Sequence, residues 1–211
     1  GKSTILEALD IFFNDGKGVI KLDKTDVNVK SRTEENLDIE ISVCFSELPE
    51  QIVIDSTVET SLQDEFMLNA NGQLEVIKRY KNGGSAKVFI KAKHPTNDKC
   101  AELLLKKNRD LKRIIQSENI ECENQTVNAE MRKAIWNKFS DDLQQDIIEI
   151  DVSKEDAKKI WEKLSNYLPT YSLFQSDRKN SDGDNEIQDP LKTAVKQILS
   201  DTELQATLAE V

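Results

Sequence analysis

The first four residues constrain the fold of this chain most, because they match the second half of a phosphate-binding loop. They are Gly1, Lys2, Ser3 and Thr4. The complete loop has the pattern G-x-x-x-x-G-K-[ST], of which the last glycine, the lysine and the hydroxyl residues are present. Residues 5–13 follow with apolar side chains at helical spacing and predict a helix. A glycine-containing loop that runs into a helix is typical of phosphate binding.

A helix amino terminus binds anions because its first N–H groups have no partner inside the helix and carry partial positive charge. On this interpretation Lys2 lies against the β- and γ-phosphates of a nucleotide, and Ser3 is a ligand of Mg²⁺. The alternative is an ordinary helix start with Ser3 or Thr4 as its cap. Because no strand and no first glycine precede Gly1, we expect a piece cut from a nucleotide-binding protein at its phosphate loop.

The charge balance argues against a broad nucleic-acid-binding surface on this chain. Its 211 residues include 29 Lys and Arg and 39 Asp and Glu, a formal net charge of −10. DNA binding by other parts of the protein is left open. No run of about 18 apolar residues is present, so no membrane span is expected. The three cysteines are widely spaced without a C-x-x-C pair, and we expect free thiols in a reducing cytoplasm.

Alternating apolar and polar residues predict a β-rich lobe after the first helix. Residues 37–45 alternate with a period of two. The turn residues 82–84 lie between two further strand patterns and predict a hairpin, and Asn71 and Gly72 predict a turn that joins residues 66–68 to the strand at 74–76. We therefore predict a mainly antiparallel sheet over about residues 36–93. Four residues should face inward: Ile39, Ile41, Val43 and Phe45.

From residue 98 onward the pattern is mainly helical. Helices are predicted over 101–115 and 129–139, and a third opens at Ser153, whose spacing to Asp156 resembles a capping box. The many basic residues of the first of these helices form either a contact surface for phosphate or a partner, or a solvated face. The predicted division is 1–97, the phosphate-loop helix with the β lobe, and 98–211, the helical part with one further strand.

That further strand is a short apolar run over residues 171–174, which suits a buried strand of a mixed sheet. Gln175 follows it directly, and ligands of open α/β sheets bind at the carboxyl ends of strands. A glutamine there can reach Mg²⁺ or the attacking water beside the γ-phosphate. Gln175 is therefore the candidate catalytic residue and, with Ser3, a candidate metal ligand; the alternative is an ordinary loop glutamine. No metal or catalytic role is expected for the single histidine, His94.

Three segments together resemble a known family. Residues 1–9 resemble the phosphate loop and first helix of ABC-type ATPases of the SMC and RecF kind, in which the loop reads Asn-Gly-x-Gly-Lys-Ser-Thr-x-x-Glu-Ala. Residues 38–49 resemble the β lobe of AAA-family ATPases in the overcoming-lysogenization-defect (OLD) nuclease group. Residues 174–180 and 188–191 resemble that group's segment around the Q-loop. The resemblance spans essentially the whole chain.

This resemblance implies an α/β fold: a fragment of an ABC-type P-loop ATPase head, with a mixed or antiparallel β lobe and a mainly helical second half that ends where a helical insertion begins. Such heads bind ATP and Mg²⁺ and form homodimers. Many members of the OLD group carry a Toprim nuclease domain that cuts DNA, and they act in DNA repair or phage defence. The resemblance makes Lys2 the phosphate lysine, Ser3 the Mg²⁺ ligand and Gln175 the Q-loop residue.

The sequence also departs from this family. It contains no Walker B strand and no Ser-Gly-Gly-type signature, both of which hydrolysis requires. ATP turnover is therefore expected of the full-length protein and not of these residues alone. Two alternatives stay open: an SMC/RecF-like DNA-repair ATPase without nuclease activity, and a non-catalytic interaction domain in which the first residues have no role. The sequence before Gly1 and after Val211 would distinguish them.

Overall fold

The computed structural model describes residues 1–33, 37–55 and 58–173. In these ranges the helices are α1 (Lys2–Phe13), α2 (Val29–Thr33), α3 (Asn108–Ser117), α4 (Asn128–Lys138) and α5 (Glu155–Leu164). The strands are β1 (Asp38–Phe45), β2 (Leu74–Lys81), β3 (Ala86–Pro95) and β4 (Gln145–Asp151). Short 3-10 turns cover Lys24–Asp26, Leu103–Leu105, Ser140–Asp142 and Ser165–Tyr167. The described chain is thus a mixed α/β protein.

Two compact units make up the chain. One unit is Asp23–Leu168, which contains all four strands and helices α2 to α5. The other comprises Gly1–Leu22, with helix α1, and Pro169–Val211, of which residues 169–173 are described. The phosphate-loop residues and the segment that leads to Gln175 therefore belong to the same unit.

The four strands form one antiparallel sheet in the order β1-β2-β3-β4. Ile41 of β1 lies opposite Lys78 of β2, which in turn lies opposite Val88 of β3. The predicted antiparallel sheet is confirmed, and so is the alternation in β1. The four residues predicted to face inward are the less exposed ones of the strand, and each is half-buried: Ile39, Ile41, Val43 and Phe45.

The predicted hairpin between β2 and β3 is also confirmed. Asn82 and Gly83 have φ values of +52° and +70°, as in a type I′ turn, and this turn lies in the connection between the paired residues Tyr80 and Ala86. Gly84 N donates to Lys81 O at 2.9 Å and closes the turn. A Cβ on Gly83 would lie 2.9 Å from the backbone carbon of Asp23. Glycine is thus required there both by the backbone angle and by the close neighbour.

Strand β4 is a correction, because it lies in the part that the sequence pattern predicts to be mainly helical. It pairs antiparallel with β3 and places Ile150 opposite Ile90. Two adjacent isoleucines, Ile147 and Ile148, interrupt the alternation of apolar and polar residues and hide the period of two. The pairing partner is distant in the sequence, and strand formation depends on such partners more than on local preference.

Two further predictions about elements are wrong for local reasons. Residues 66–68 form no strand, because Phe66 has a φ of +51°, outside the extended region; the turn after them is present, with Gly72 N bonded to Asn69 O at 3.0 Å. The helix predicted over 101–115 begins only at Asn108. Glu102 has a φ of +55° and interrupts the helical path before α3.

The capping box predicted at Ser153 is wrong as well. Helix α5 begins at Glu155 with Lys154 as its amino-terminal cap and without a side-chain capping bond. Ser153 Oγ instead accepts from Val88 N at 2.9 Å. On the side of β3 that faces β4, the last residue pair is Phe89 with Asp151, and Val88 lies just beyond it. The serine hydroxyl therefore supplies an acceptor where the strand pairing has ended.

Helices α3 and α4 pack against each other near their amino termini, where Asn108 Nδ2 donates to Asn128 Oδ1 at 2.8 Å. Apart from Arg132, the residues that the two helices bury are apolar: Leu111, Ile115, Ala129, Met131, Ile135 and Trp136. On the exposed side of α3, Arg109 and Arg113 pair with Asp110 at 3.6 and 3.4 Å. These contacts favour the solvated-face interpretation of the basic helix.

A buried ion-pair cluster joins α4 to the loop between β1 and β2. The Arg132 guanidinium binds Glu65 through two nitrogens and reaches Asp55 Oδ2 at 2.7 Å. Thr60 Oγ1 donates to Glu65 Oε1 at 3.1 Å. Burial by itself lowers the pKa of Arg132, but the charges of Glu65 and Asp55 outweigh it, and the pKa is raised. Arg132 therefore stays charged, and its bonds to Glu65 and Asp55 fix the loop on the helix.

His94 lies in an aromatic cluster of the same unit. Its ring is edge-on to Phe66 and to Trp136, with centroid distances of 6.4 and 5.8 Å. Nδ1 lies 2.9 Å from Phe66 O, and since a carbonyl only accepts, Nδ1 carries the proton. Burial lowers the pKa of His94 to about 4. This histidine is a neutral core residue.

Candidate functional site

Helix α1 presents the phosphate-loop residues at an accessible end. Residues 1–7 are exposed, whereas Asp10, Ile11 and Phe12 are buried. Ile5, predicted to lie on the apolar face, is 64% exposed. In the described part of the chain, the second half of α1 is thus buried and its first two turns are exposed.

The first four residues differ in the contacts that they make with the described part of the chain. Gly1 N donates to Thr4 Oγ1 at 3.3 Å, so the threonine hydroxyl takes part in the start of the helix. No described residue forms a hydrogen bond or an ion pair with the side chain of Lys2 or Ser3. Among the described atoms, none lies within 4 Å of the position that a Cβ on Gly1 would take. Within the described residues, the side chains of Lys2 and Ser3 are therefore not engaged by the protein itself.

The electrostatics of this end favour an anion. The first turn of α1 contains no acidic residue, and the N–H groups of that turn are the positive end of the helix dipole. Lys2 adds a full positive charge. A triphosphate fits this donor set, and one protein hydroxyl from Ser3 suits Mg²⁺, which usually keeps several waters and binds substrate phosphates.

Behind this end, a buried carboxylate joins α1 to the loop that follows it. Asp10 is 1% exposed. Its Oδ2 accepts from Ile20 N at 2.8 Å, and its Oδ1 accepts from Asn14 Nδ2 at 3.0 Å. A Cβ on Gly18 would lie 2.5 Å from Asp10 Oδ2, so only glycine allows the loop to approach. The sequence analysis gave Asp10 no role. The signal that could have identified it is a charged residue within an otherwise apolar helical pattern.

Residues 171–173 contact α1 in the same unit. They form no strand, which corrects the strand predicted over 171–174, of which Phe174 lies outside the described residues. The Tyr171 carbonyl accepts a hydrogen bond from Asn14 Nδ2 at 3.5 Å, whereas in a strand it would accept from the amide of a neighbouring strand. The Tyr171 ring stacks on Phe13 at a centroid distance of 5.7 Å, and Tyr171 Oη donates to Leu6 O at 3.1 Å. The sequence pattern gave no role to Tyr171.

Gln175, the candidate catalytic residue and second metal ligand, lies outside the described residues. Within the part that is described, no group of three or more His, Cys, Asp or Glu residues could hold a metal ion. Cys44, Cys100 and Cys122 are free. None of the helices in the described ranges has the length and hydrophobicity needed to traverse a lipid bilayer.

A helix that opens with glycine, lysine, serine and threonine, with no acidic residue in its first turn, is the arrangement of the P-loop nucleotide-binding class. Residues 1–210 match the family model described as AAA ATPase domain. The chain therefore belongs to the AAA ATPase domain family, which implies ATP binding and hydrolysis. No curated protein and no solved structure matches the chain.

Proposed function

We propose that the chain is the ATP-binding part of an ATPase head, with the phosphates of ATP at Gly1, Lys2, Ser3 and Thr4. One observation carries the proposal: in a chain of the AAA ATPase family, α1 begins at these residues with an exposed first turn that contains no acidic side chain. The side chains of Lys2 and Ser3, which make no hydrogen bond or ion pair with any residue that the structure describes, support it further. Magnesium-bound ATP supplies the phosphoryl group that is transferred to water.

Each residue has a distinct part in this proposal. Lys2 and the N–H groups of the first turn offset the charge of the β- and γ-phosphates. Ser3 donates its hydroxyl oxygen to Mg²⁺, while Thr4 is engaged with Gly1 and stabilises the start of the helix. Gln175 orients the attacking water or completes the Mg²⁺ ligands. The catalytic acid and the signature come from other parts of the protein, since the sequence contains neither.

Within the family, we propose an OLD-type head of an ATP-dependent endonuclease in DNA repair or phage defence. The resemblance of residues 38–49 and 174–180 to that group supports this assignment. Two such heads would form a homodimer around ATP. Because the net charge of −10 argues against a broad DNA-binding surface on this chain, we propose that the DNA contacts are made by other parts of the protein.

ATP turnover by the full-length protein tests the first proposal. We expect the Lys2→Ala variant to lower turnover by about 100-fold, because a charge that stabilises the transferred phosphoryl group is lost. The Ser3→Ala variant should raise the Mg²⁺ concentration needed for half-maximal turnover. Lys159→Ala is the matched control, since this lysine is 77% exposed and, among the residues that the structure describes, its ion pair is with Asp156 on its own helix. Turnover that is unchanged in the Lys2 variant would reject the site.

Cleavage of DNA tests the second proposal. The full-length protein should cut linear or supercoiled DNA with Mg²⁺, and the Lys2→Ala variant should alter that cleavage because ATP regulates it. ATP turnover without any cleavage under these conditions would instead identify an SMC/RecF-like ATPase without nuclease activity. Absence of both activities would leave the interaction domain as the remaining candidate.

A further inference from the structure

Tyr171 is attached to helix α1 at three points. Its ring stacks on Phe13 with an interplanar angle of 20°. Its hydroxyl donates to Leu6 O, and its carbonyl accepts from Asn14 Nδ2. Asn14 is in turn bonded to the buried Asp10 carboxylate. The backbone and the side chain of Tyr171 are therefore both fixed to one helix.

The point of attachment lies directly behind the candidate phosphate residues. Leu6 is one helical turn after Lys2, and in an α-helix the N–H of Leu6 donates to the carbonyl of Lys2. A hydrogen bond to the Leu6 carbonyl therefore acts on the turn that follows Lys2 and Ser3. In the sequence, Tyr171 precedes Gln175 by four residues. One residue thus touches the phosphate-binding helix and leads to the candidate catalytic glutamine.

The hydroxyl contact is more specific than packing alone. The ring stack with Phe13 fixes the plane of the ring, whereas a hydrogen bond to one carbonyl also fixes its position along the helix. Burial and, secondly, the charge of Asp10 raise the pKa of Tyr171, so the phenol keeps its proton and donates at neutral pH.

We propose that Tyr171 is a positioning residue for ATP hydrolysis, which holds in place the turn of α1 that follows Lys2 and Ser3. This proposal rests on the proposed ATPase function. Tyr171 does not touch nucleotide; it acts through the turn of α1 that carries the phosphate residues. Its loss should therefore affect the chemical step more than nucleotide binding, because Lys2 and Ser3 remain in place.

Kinetics of the full-length Tyr171→Phe variant test this proposal, because the substitution removes only the hydroxyl and keeps the ring stack. Tyr167→Phe is the matched control. Tyr167 Oη accepts from Val53 N at 3.0 Å, in the other compact unit, so this variant also loses one tyrosine hydrogen bond. Steady-state kcat and KM for ATP, the Kd of ATP and the thermal unfolding midpoint are measured for each variant.

We expect Tyr171→Phe to lower kcat about fivefold, the rate equivalent of one hydrogen bond, with the Kd of ATP within about twofold of the original. Tyr167→Phe should lower the thermal unfolding midpoint by about as much as Tyr171→Phe does, and it should leave kcat unchanged. An unchanged kcat in the Tyr171 variant, or an equal loss of kcat in both variants, would overturn the positioning role. If Lys2→Ala abolishes turnover while Tyr171→Phe does not, only this inference fails; if Lys2→Ala has no effect, both fail.

Discussion

The guanidinium of Arg132 binds both carboxylate oxygens of Glu65, with Nε to Oε2 at 2.7 Å and Nη2 to Oε1 at 2.9 Å. The side chains of both residues are 2% exposed. Water does not screen this pair, and each charge depends on the other for its solvation. The pair anchors the loop between β1 and β2 on helix α4.

Replacing Arg132 with methionine should strongly destabilise the protein, because it leaves the Glu65 carboxylate buried without its partner. We expect the free energy of unfolding to fall by about 3–5 kcal/mol in urea titrations. Arg113→Met is the matched control; Arg113 is 68% exposed, and its pair with Asp110 should contribute under about 1 kcal/mol. Equal losses in the two variants would contradict the role of the buried pair.

The free energy of unfolding should decrease as the pH is lowered, because His94 is buried in its neutral form. Burial lowers its pKa in the folded state from 6.5 to about 4, while the unfolded chain binds a proton near pH 6.5. The unfolded state therefore holds more protons between these values, so stability is complete above pH 6.5 and is lost as the pH falls toward 4. Between pH 7.5 and pH 5 the loss should be about 2 kcal/mol in urea titrations.

The His94→Phe variant isolates this effect, because the chain has no other histidine. The variant keeps an aromatic ring between Phe66 and Trp136 but cannot be protonated. Between pH 7.5 and pH 5, the difference in unfolding free energy between the original protein and this variant should change by about 2 kcal/mol. A difference that is independent of pH would show that His94 is not buried in its neutral form.

A methyl group on Gly18 should collide with the Asp10 carboxylate. We expect Gly18→Ala to lower the free energy of unfolding by about 1–3 kcal/mol. In an Asp10→Ala background the same substitution should cost under about 1 kcal/mol, because the oxygens that it meets are gone. A double-mutant cycle with thermal or urea unfolding measures this coupling. Additive losses would indicate that Gly18 is needed for its backbone conformation alone.

Substituting Ser153 with alanine should release the Val88 amide. Since the serine hydroxyl accepts from Val88 N, its removal should cost about 1 kcal/mol. Hydrogen exchange measured by NMR should become faster at the Val88 amide and stay the same at the Asp156 amide. The reverse pattern would restore the capping box that the sequence predicts.

Local patterns were sufficient for some parts of the fold. The alternation around Ile41 and the turn at Gly83 are local properties of the chain, and both predictions are confirmed. The positive φ values of Phe66 and Glu102 could not be predicted, because neither residue type favours that conformation. Strand β4 was missed because its partner β3 is distant in sequence and decides its pairing.

The candidate site, too, could be predicted only in part from the sequence. Lys2 and Ser3 were found from a short motif, and the structure places both at the exposed start of a helix. Their use by ATP stays a prediction, as does the role of Gln175. Asp10 and Tyr171 were missed because hydrogen bonds between α1, its following loop and the chain near residue 171 arise only after folding.

The position of β4 in the chain has a consequence for biosynthesis. Strand β3 ends at Pro95, and the strand that covers its outer edge begins at Gln145, after two helices. A ribosome that adds about 5–20 residues per second needs roughly 3 to 11 s to synthesise residues 96–151. Throughout that interval the amides of β3 are a free template for another nascent chain. The interval between the two strands is therefore the period in which molecular chaperones would most benefit this protein.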